Sequence, residues 1–220
     1  MYLLLIRHTE SEKNIYNQFS SESDNERLTK DGEQNALHLC YQIEQFMKSK
    51  HLSCKNVYSA KSARSSETAS VIASKLNLNL CLEEALRSTK PGSLSGKSEE
   101  EAQKSNPEYI KQLYLFRNGL YNAYDFTVAD GKEPKKQFEK RVSDCIQKIL
   151  SDESESIKIV IAHRSSITSI LLEIAKKYYN YPDSFSGYVQ LDLGCVSILK
   201  KDNTNNQWEI LKVNSNNLHL

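Results

Sequence analysis

The chain has 220 residues, a hydrophobic fraction of 39%, a charged fraction of 26% and a formal net charge of +1. That length suits one domain with room for a large insertion, and the apolar content supports a packed core. A near-neutral charge with no basic stripe leaves nothing to mark a nucleic-acid binder, and no apolar run approaches the length of a bilayer span.

Taken in chain order, Tyr2–Ile6 is a continuous apolar run of strand length, the pattern of a strand buried on both faces. Thr29 reads as the N-cap of a long amphipathic helix with Gly32 and Glu33 in its first turn and Leu37, Cys40, Ile43 and Phe46 on its buried face. A short strand is expected at Asn56–Ser59, a helix at Ala63–Leu76 with Ala69, Ile72 and Leu76 inward, and another strand at Leu78–Leu82. From Glu84 to Gly131 the character changes, with Pro91, Pro107 and the tyrosines 109, 114, 121 and 124, so irregular structure with two or three short helices is expected. Phe138, Val142, Cys145, Ile146 and Ile149 define a helix starting near Pro134. Ile157–Ala162 is a second buried strand, Ser165–Lys177 a helix, and Val196–Lys200 and Glu209–Val213 two late strands joined by a polar turn over Lys201–Gln207. Strands alternating with helices predict an α/β fold, a mostly parallel central sheet with helices on both faces.

The five cysteines are dispersed and form no CxxC pair, which argues against zinc and redox motifs and for reduced thiols in a cytoplasmic protein. The N-terminal apolar stretch is too short for a signal peptide, and Arg7 follows it at once.

The strand ends carry the chemistry. Arg7 and His8 follow the first strand, Ser59 and then Arg64 follow the second, and His163 and Arg164 follow the fourth. Ligands of open α/β sheets bind outside the carboxyl ends of the strands, so two histidines and at least two arginines are expected at one edge. Arginine forks match phosphate oxygens. A neutral imidazole can attack phosphorus and form a covalent intermediate, and a second histidine can donate to the equatorial oxygens. His38 and His51 lie on or near a helix and are taken as structural.

In order along nearly the whole chain, LLLIRHTESEKN, LTKDGEQNA, VYSAKSARSSETA, GKEPKKQFEKRV, IVIAHRSSI and the tail VNSNNLHL resemble the motifs of the histidine phosphatase superfamily, the phosphoglycerate-mutase-like enzymes. The resemblance implies a single domain over 1–220 with a helical cap insertion at about 84–132. It implies that His8 is the phosphoryl acceptor, that Arg7, Arg64 and His163 clamp the phosphoryl oxygens and that Asn14 adds a hydrogen bond, with Thr9, Ser59 and Arg164 as further substrate-binding positions. It requires no metal and no cofactor. The expected partner is a small anionic phosphate ester, and the oligomeric state is left open.

The chain also departs from the family pattern. Thr9 and Arg164 stand where glycines are usual after the two histidines, and Ser88 in LRSTKPGSLSGKS stands where many members carry the glutamate that protonates the leaving oxygen. Glu133 is the substitute acid candidate, and the competing reading is that it only bonds backbone or an arginine. The cap offers Arg87, Lys90, Lys97, Lys104 and Arg117, read either as a cationic wall suited to an ester such as a sugar phosphate or as solvated charges. The expected function is phosphomonoester hydrolysis, with mutase-type transfer or a catalytically weakened phospholigand binder as alternatives.

Overall fold

The computed structural model describes residues 1–21, 23–126, 130–202 and 204–220. Its strands are β1 (Tyr2–Arg7), β2 (Asn56–Ala60), β3 (Asn79–Glu83), β4 (Ile157–Ala162), β5 (Val196–Lys201) and β6 (Trp208–Ser215). Its helices are α1 (Glu12–Ile15), α2 (Lys30–Ser49), α3 (Ala63–Leu76), α4 (Glu99–Ser105), α5 (Pro107–Arg117), α6 (Lys135–Ser151) and α7 (Arg164–Tyr178).

The strands form one sheet in the order β3-β2-β4-β1-β5-β6. The first four run parallel; at one edge β5 runs antiparallel to β1, and β6 antiparallel to β5. Alternation along the buried strands divides the core in two. Leu3, Leu5, Val160 and Ala162 pack on α6 and α7, through Phe138, Val142, Ile146, Ile167 and Ile170. Leu4, Ile6, Ile159 and Ile161 pack on α2 and α3, through Leu39, Ile43, Ala69 and Ile72. The mostly parallel sheet with helices on both faces is thus present. Among the described residues no helix is long and apolar enough to cross a membrane.

Most elements fall where the hydrophobic pattern puts them, with small differences of physical origin. The inward stripe of α2 is Ala36, Leu39, Cys40, Ile43 and Phe46, and Leu37 is exposed. A strict three-residue spacing drifts by about 60° per step around a helix of 3.6 residues per turn, so Leu37 is carried off the buried face. β3 starts one residue late because Asn77 closes α3 in the left-handed conformation, with φ of 54°. The polar turn after β5 is closed by a hydrogen bond from the Asp202 amide to the Gln207 carbonyl, with residue 203 outside the described set. The stretch from 84 to 131 contains α4 and α5 as two short helices plus 3-10 turns, apart from residues 127–129, which also lie outside it. The helix α1 is too short to leave a periodic signal.

Register aligns the site. Arg7 of β1 lies opposite Ala162 of β4, and Ser59 of β2 opposite Ile161. The His8 amide donates to the Ala162 carbonyl at 3.0 Å. The segment after His8 is pinned to the start of α2, where the Thr29 amide donates to the Glu10 carbonyl. Thr29 also caps α2 by accepting from the Gly32 amide at 3.0 Å. A Cβ on Gly32 would sit 2.0 Å from the Glu10 carbonyl oxygen. Gly32→Ala therefore displaces backbone two residues from His8. Overpacking of this kind costs about 1–3 kcal/mol, which predicts a melting midpoint lowered by several degrees; an unchanged midpoint would show that the segment yields freely.

Candidate active site

The cavity at the carboxyl ends of the parallel strands has a volume of about 760 Å3. Arg7, His8, Asn14, Glu133, His163 and Arg164 all line it, as do Lys13, Ser20 and Ser88. Two helices begin at the same edge, with Ser62 as the N-cap of α3 and His163 as the N-cap of α7. Their amide ends add positive potential toward an anion.

The two imidazoles stand 5.2 Å apart between ring centroids, inclined at 66°. His8 Nδ1 lies 2.8 Å from the Thr9 carbonyl oxygen. A carbonyl only accepts, so Nδ1 carries the proton and Nε2 keeps its lone pair. Burial, then the Arg64 and Arg7 charges, hold the His8 pKa well below its ordinary value, so the ring is neutral at pH 7. His163 is lowered in the same way, by burial first and then by Arg64. Its Nδ1 lies 3.4 Å from Arg64 Nη2, which can only donate, so its Nε2–H donates to Ser62 Oγ at 3.0 Å.

Arg64 differs from its expected placement. Its side chain has no exposed surface, and it stands behind the histidines rather than on the cavity wall. It pairs with Asp24 and Glu26, each at 2.8 Å. Two other expected binding positions also point elsewhere. Thr9 Oγ1 meets Thr68 Oγ1 at 3.1 Å, and Ser59 Oγ donates to the Ala60 carbonyl at 2.9 Å. Both are buried and neither lines the cavity. Thr9 thus ties the loop after His8 to α3. Asn14 Oδ1 accepts from the Ser11 amide and hydroxyl, so its amide group is the end left for the cavity.

Arg7 Nη1 donates to the Leu191 carbonyl at 2.6 Å, and burial followed by the Arg164 charge brings its pKa down to about 10. Arg164 donates to Tyr188 Oη at 2.6 Å and lies over that ring. Glu133 is held in a fork by Arg141, at 2.6 and 2.8 Å, and accepts from the Lys90 amide. Burial alone would raise its pKa, but the Arg141 hydrogen bonds and charge outweigh that and leave it below its ordinary value. Arg141 also donates to the Ser88 carbonyl, so the fork fixes the segment that lacks the usual glutamate.

Lys13, Ser20, Asp24 and Glu26 escaped the motif reading, since they come from α1 and the irregular loop after it. Lys13 stands directly before Asn14, and that adjacency was the available signal. Its Nζ donates to Ser20 Oγ at 3.0 Å. Burial, then the Arg64 charge, lowers its pKa to about 7. Among the described residues no group of three His, Cys, Asp or Glu side chains is placed to hold a metal ion.

The model of the histidine phosphatase superfamily, branch 1, matches residues 3–216. The chain belongs to that family. In fold it is similar to YhfR of Bacillus stearothermophilus, with a TM-score of 0.78 at 18% identity over 99% of this chain and 98% of that one. It is also similar to the alpha-ribazole phosphatase of Shigella flexneri, with a TM-score of 0.76 at 17% identity over 100% and 99%. A mycobacterial glucosyl-3-phosphoglycerate phosphatase in complex with VO3 follows the same fold, with a TM-score of 0.74 at 16% identity over 95% and 96%. No sequence relative among curated proteins matches the chain.

The Lys13 ammonium is charged below pH 7 and neutral above it, so the cavity loses a positive charge as pH rises. Because kcat/KM reports the free enzyme, kcat/KM toward a phosphate monoester should fall as pH passes 7. A bound dianion raises the Lys13 pKa, so the same limb in kcat should lie at higher pH. Lys13→Met should remove it; superimposable profiles for the two proteins would take Lys13 out of substrate binding.

Proposed function

We propose that the protein hydrolyses phosphomonoesters through a phosphohistidine on His8, with no metal. His8 Nε2 attacks phosphorus, the N–P bond forms, and the bond to the leaving oxygen breaks with its electron pair. Water then attacks phosphorus and releases inorganic phosphate, returning the electron pair to Nε2. The observation that carries this reading is the His8 tautomer: Nδ1 is committed to the Thr9 carbonyl, which leaves Nε2 with its lone pair on a ring that lines the cavity together with Arg7, Lys13 and His163. These groups, with the ends of α3 and α7, supply charge to the equatorial oxygens. Arg64 contributes its field from beside His163, with Nη1 and Nη2 on carboxylates and its buried Nε without a hydrogen-bond partner among the described residues. Residues 84–132 serve as the cap over this site.

The arrangement of Glu133 supports an anchoring role. A carboxylate forked by arginine and held in its charged form is a weak proton donor. Glu133→Gln should therefore slow alkyl and aryl phosphates by similar factors, both through loosening of the Ser88 segment. A loss confined to alkyl phosphates would instead make Glu133 the acid.

Release of phosphate from p-nitrophenyl phosphate, in chelator, tests the central reading. Its aryl leaving group departs without protonation. The wild type should turn over and His8→Ala should lose at least about a hundredfold, the scale of losing a principal catalytic group. Turnover that survives in His8→Ala, or that vanishes with chelator in the wild type, would overturn the proposal.

A further inference from the structure

One wall of the cavity is built from contacting aromatic rings. Tyr188 meets Phe116 at 5.5 Å, Phe116 meets Phe126 at 5.2 Å, and Phe126 meets Tyr109 at 5.7 Å between centroids, each pair edge to face. All four rings line the cavity. A cation closes each end of the row. Arg164, next to His163, lies 5.1 Å from the Tyr188 ring. Lys132 lies 4.2 Å from the Tyr109 ring and donates to Tyr109 Oη at 2.6 Å.

These two cations differ from other cations around the site. Arg117 is paired with Glu99, Lys135 with Glu139, and Arg141 with Glu133. Lys132 and Arg164, which both line the cavity, have aromatic partners and no carboxylate partner among the described residues. Burial lowers the Lys132 pKa to about 8, as expected of a desolvated ammonium without a counter-charge. A phosphoryl dianion held by Arg7 and Lys13 leaves the far cation unmatched. A cation closing an apolar wall is the usual complement of a ligand with a flat body and an anionic end.

The reacting end sets a second condition. Of the carboxylates that line the cavity among the described residues, Glu133 is forked by Arg141 and Glu99 is paired with Arg117 at 2.6 Å, so neither is poised to protonate a leaving oxygen. An unassisted leaving oxygen must be the conjugate base of a fairly acidic hydroxyl. A phenol, with a pKa near 10, leaves far more readily than an alkyl alcohol.

Building on the hydrolase reading above, we infer that the substrate is an aryl phosphomonoester whose ring carries a second anionic group, the ring lying along Tyr188, Phe116, Phe126 and Tyr109 and the distal anion on Lys132. The four rings offer apolar contact, and Lys132 offers a charge-assisted hydrogen bond. Bond changes at phosphorus are those already given; the phenolate leaves with the electron pair and takes its proton from water.

The test uses 3-(4-phosphonomethylphenyl)propionate, its primary amide and its cyclohexyl analogue, with affinities measured by calorimetry. These phosphonates read the subsite without turnover, so the result is separate from the p-nitrophenyl phosphate assay of the hydrolase reading. The acid should bind about tenfold more tightly than the amide, the scale of one charge-assisted hydrogen bond, and more tightly than the cyclohexyl acid. Lys132→Met should bring the acid-to-amide ratio close to one. Equal affinities of acid and amide in the wild type, or a preference that persists in Lys132→Met, would overturn the inference. So would a cyclohexyl acid that binds as well as the aryl acid. A preference that holds while p-nitrophenyl phosphate is not hydrolysed would overturn the hydrolase reading and leave the subsite standing.

Discussion

A guanidinium with no exposed surface must be neutralised where it sits, because leaving a buried charge without its partner costs about 3–5 kcal/mol. Arg64 meets that demand with Asp24 and Glu26 on one side and His163 Nδ1 on the other. The pairing brings Ser20, Asp24 and Glu26 against α3, since Arg64 Nη2 also reaches Ser20 Oγ and the Ala63 amide donates to the Asp24 carbonyl. Ser20 in turn receives Lys13. One buried cation thereby sets the tautomer of His163, helps hold both imidazoles neutral, and positions the lysine on the cavity wall.

The sheet makes such precision possible. β1 and β4 are hydrogen-bonded in register to their last residues, so His8 and His163 emerge side by side from adjacent strands. Both strands are buried on two faces, which excludes a slip of register: a shift by one residue would exchange the α2–α3 set of side chains with the α6–α7 set. The charged exception inside β4, Lys158, has no exposed side-chain surface and is neutralised by Glu155, which also accepts from the Lys55 and Asn56 amides. The same rule of local compensation therefore operates at both ends of the central strands.

Sheet and helices were legible in the chain because hydrophobic periodicity is a local property. Ala63–Leu76 and Ile157–Ala162 could be bounded to the residue, and the strand-end positions of Arg7, His8 and His163 followed from the strands. The surroundings of those side chains were less legible. Thr9 and Ser59 sit at motif positions, yet whether such a hydroxyl faces ligand or a neighbour depends on partners far away in sequence, here Thr68 for Thr9. The Asp24–Glu26–Arg64 cluster joins residues 38 and 40 positions apart across an irregular loop, where no period exists to read. Lys13 was hidden for the same reason, in a four-residue helix.

The cations of the cap show what three-dimensional pairing adds to a charge count. Arg87, Lys104 and Arg117 look like a basic wall in the sequence, but Arg87 pairs with Asp24 and Glu84, Lys104 with Glu100, and Arg117 with Glu99. The exposed Lys104–Glu100 pair contributes little to stability, yet all of these pairs offset positive charge at the rim. The field inside the cavity then falls to groups whose described partners are neutral: Arg7 on a carbonyl, Lys13 on a hydroxyl, Arg164 and Lys132 on phenols. Each of these can turn to an incoming anion without breaking an ion pair. The ion pairing of Arg87, Lys104 and Arg117 at the rim and the neutral partners of the interior cations are two sides of one arrangement. Positive charge without a carboxylate partner is thus concentrated inside the cavity, and the aromatic row forms one of its walls.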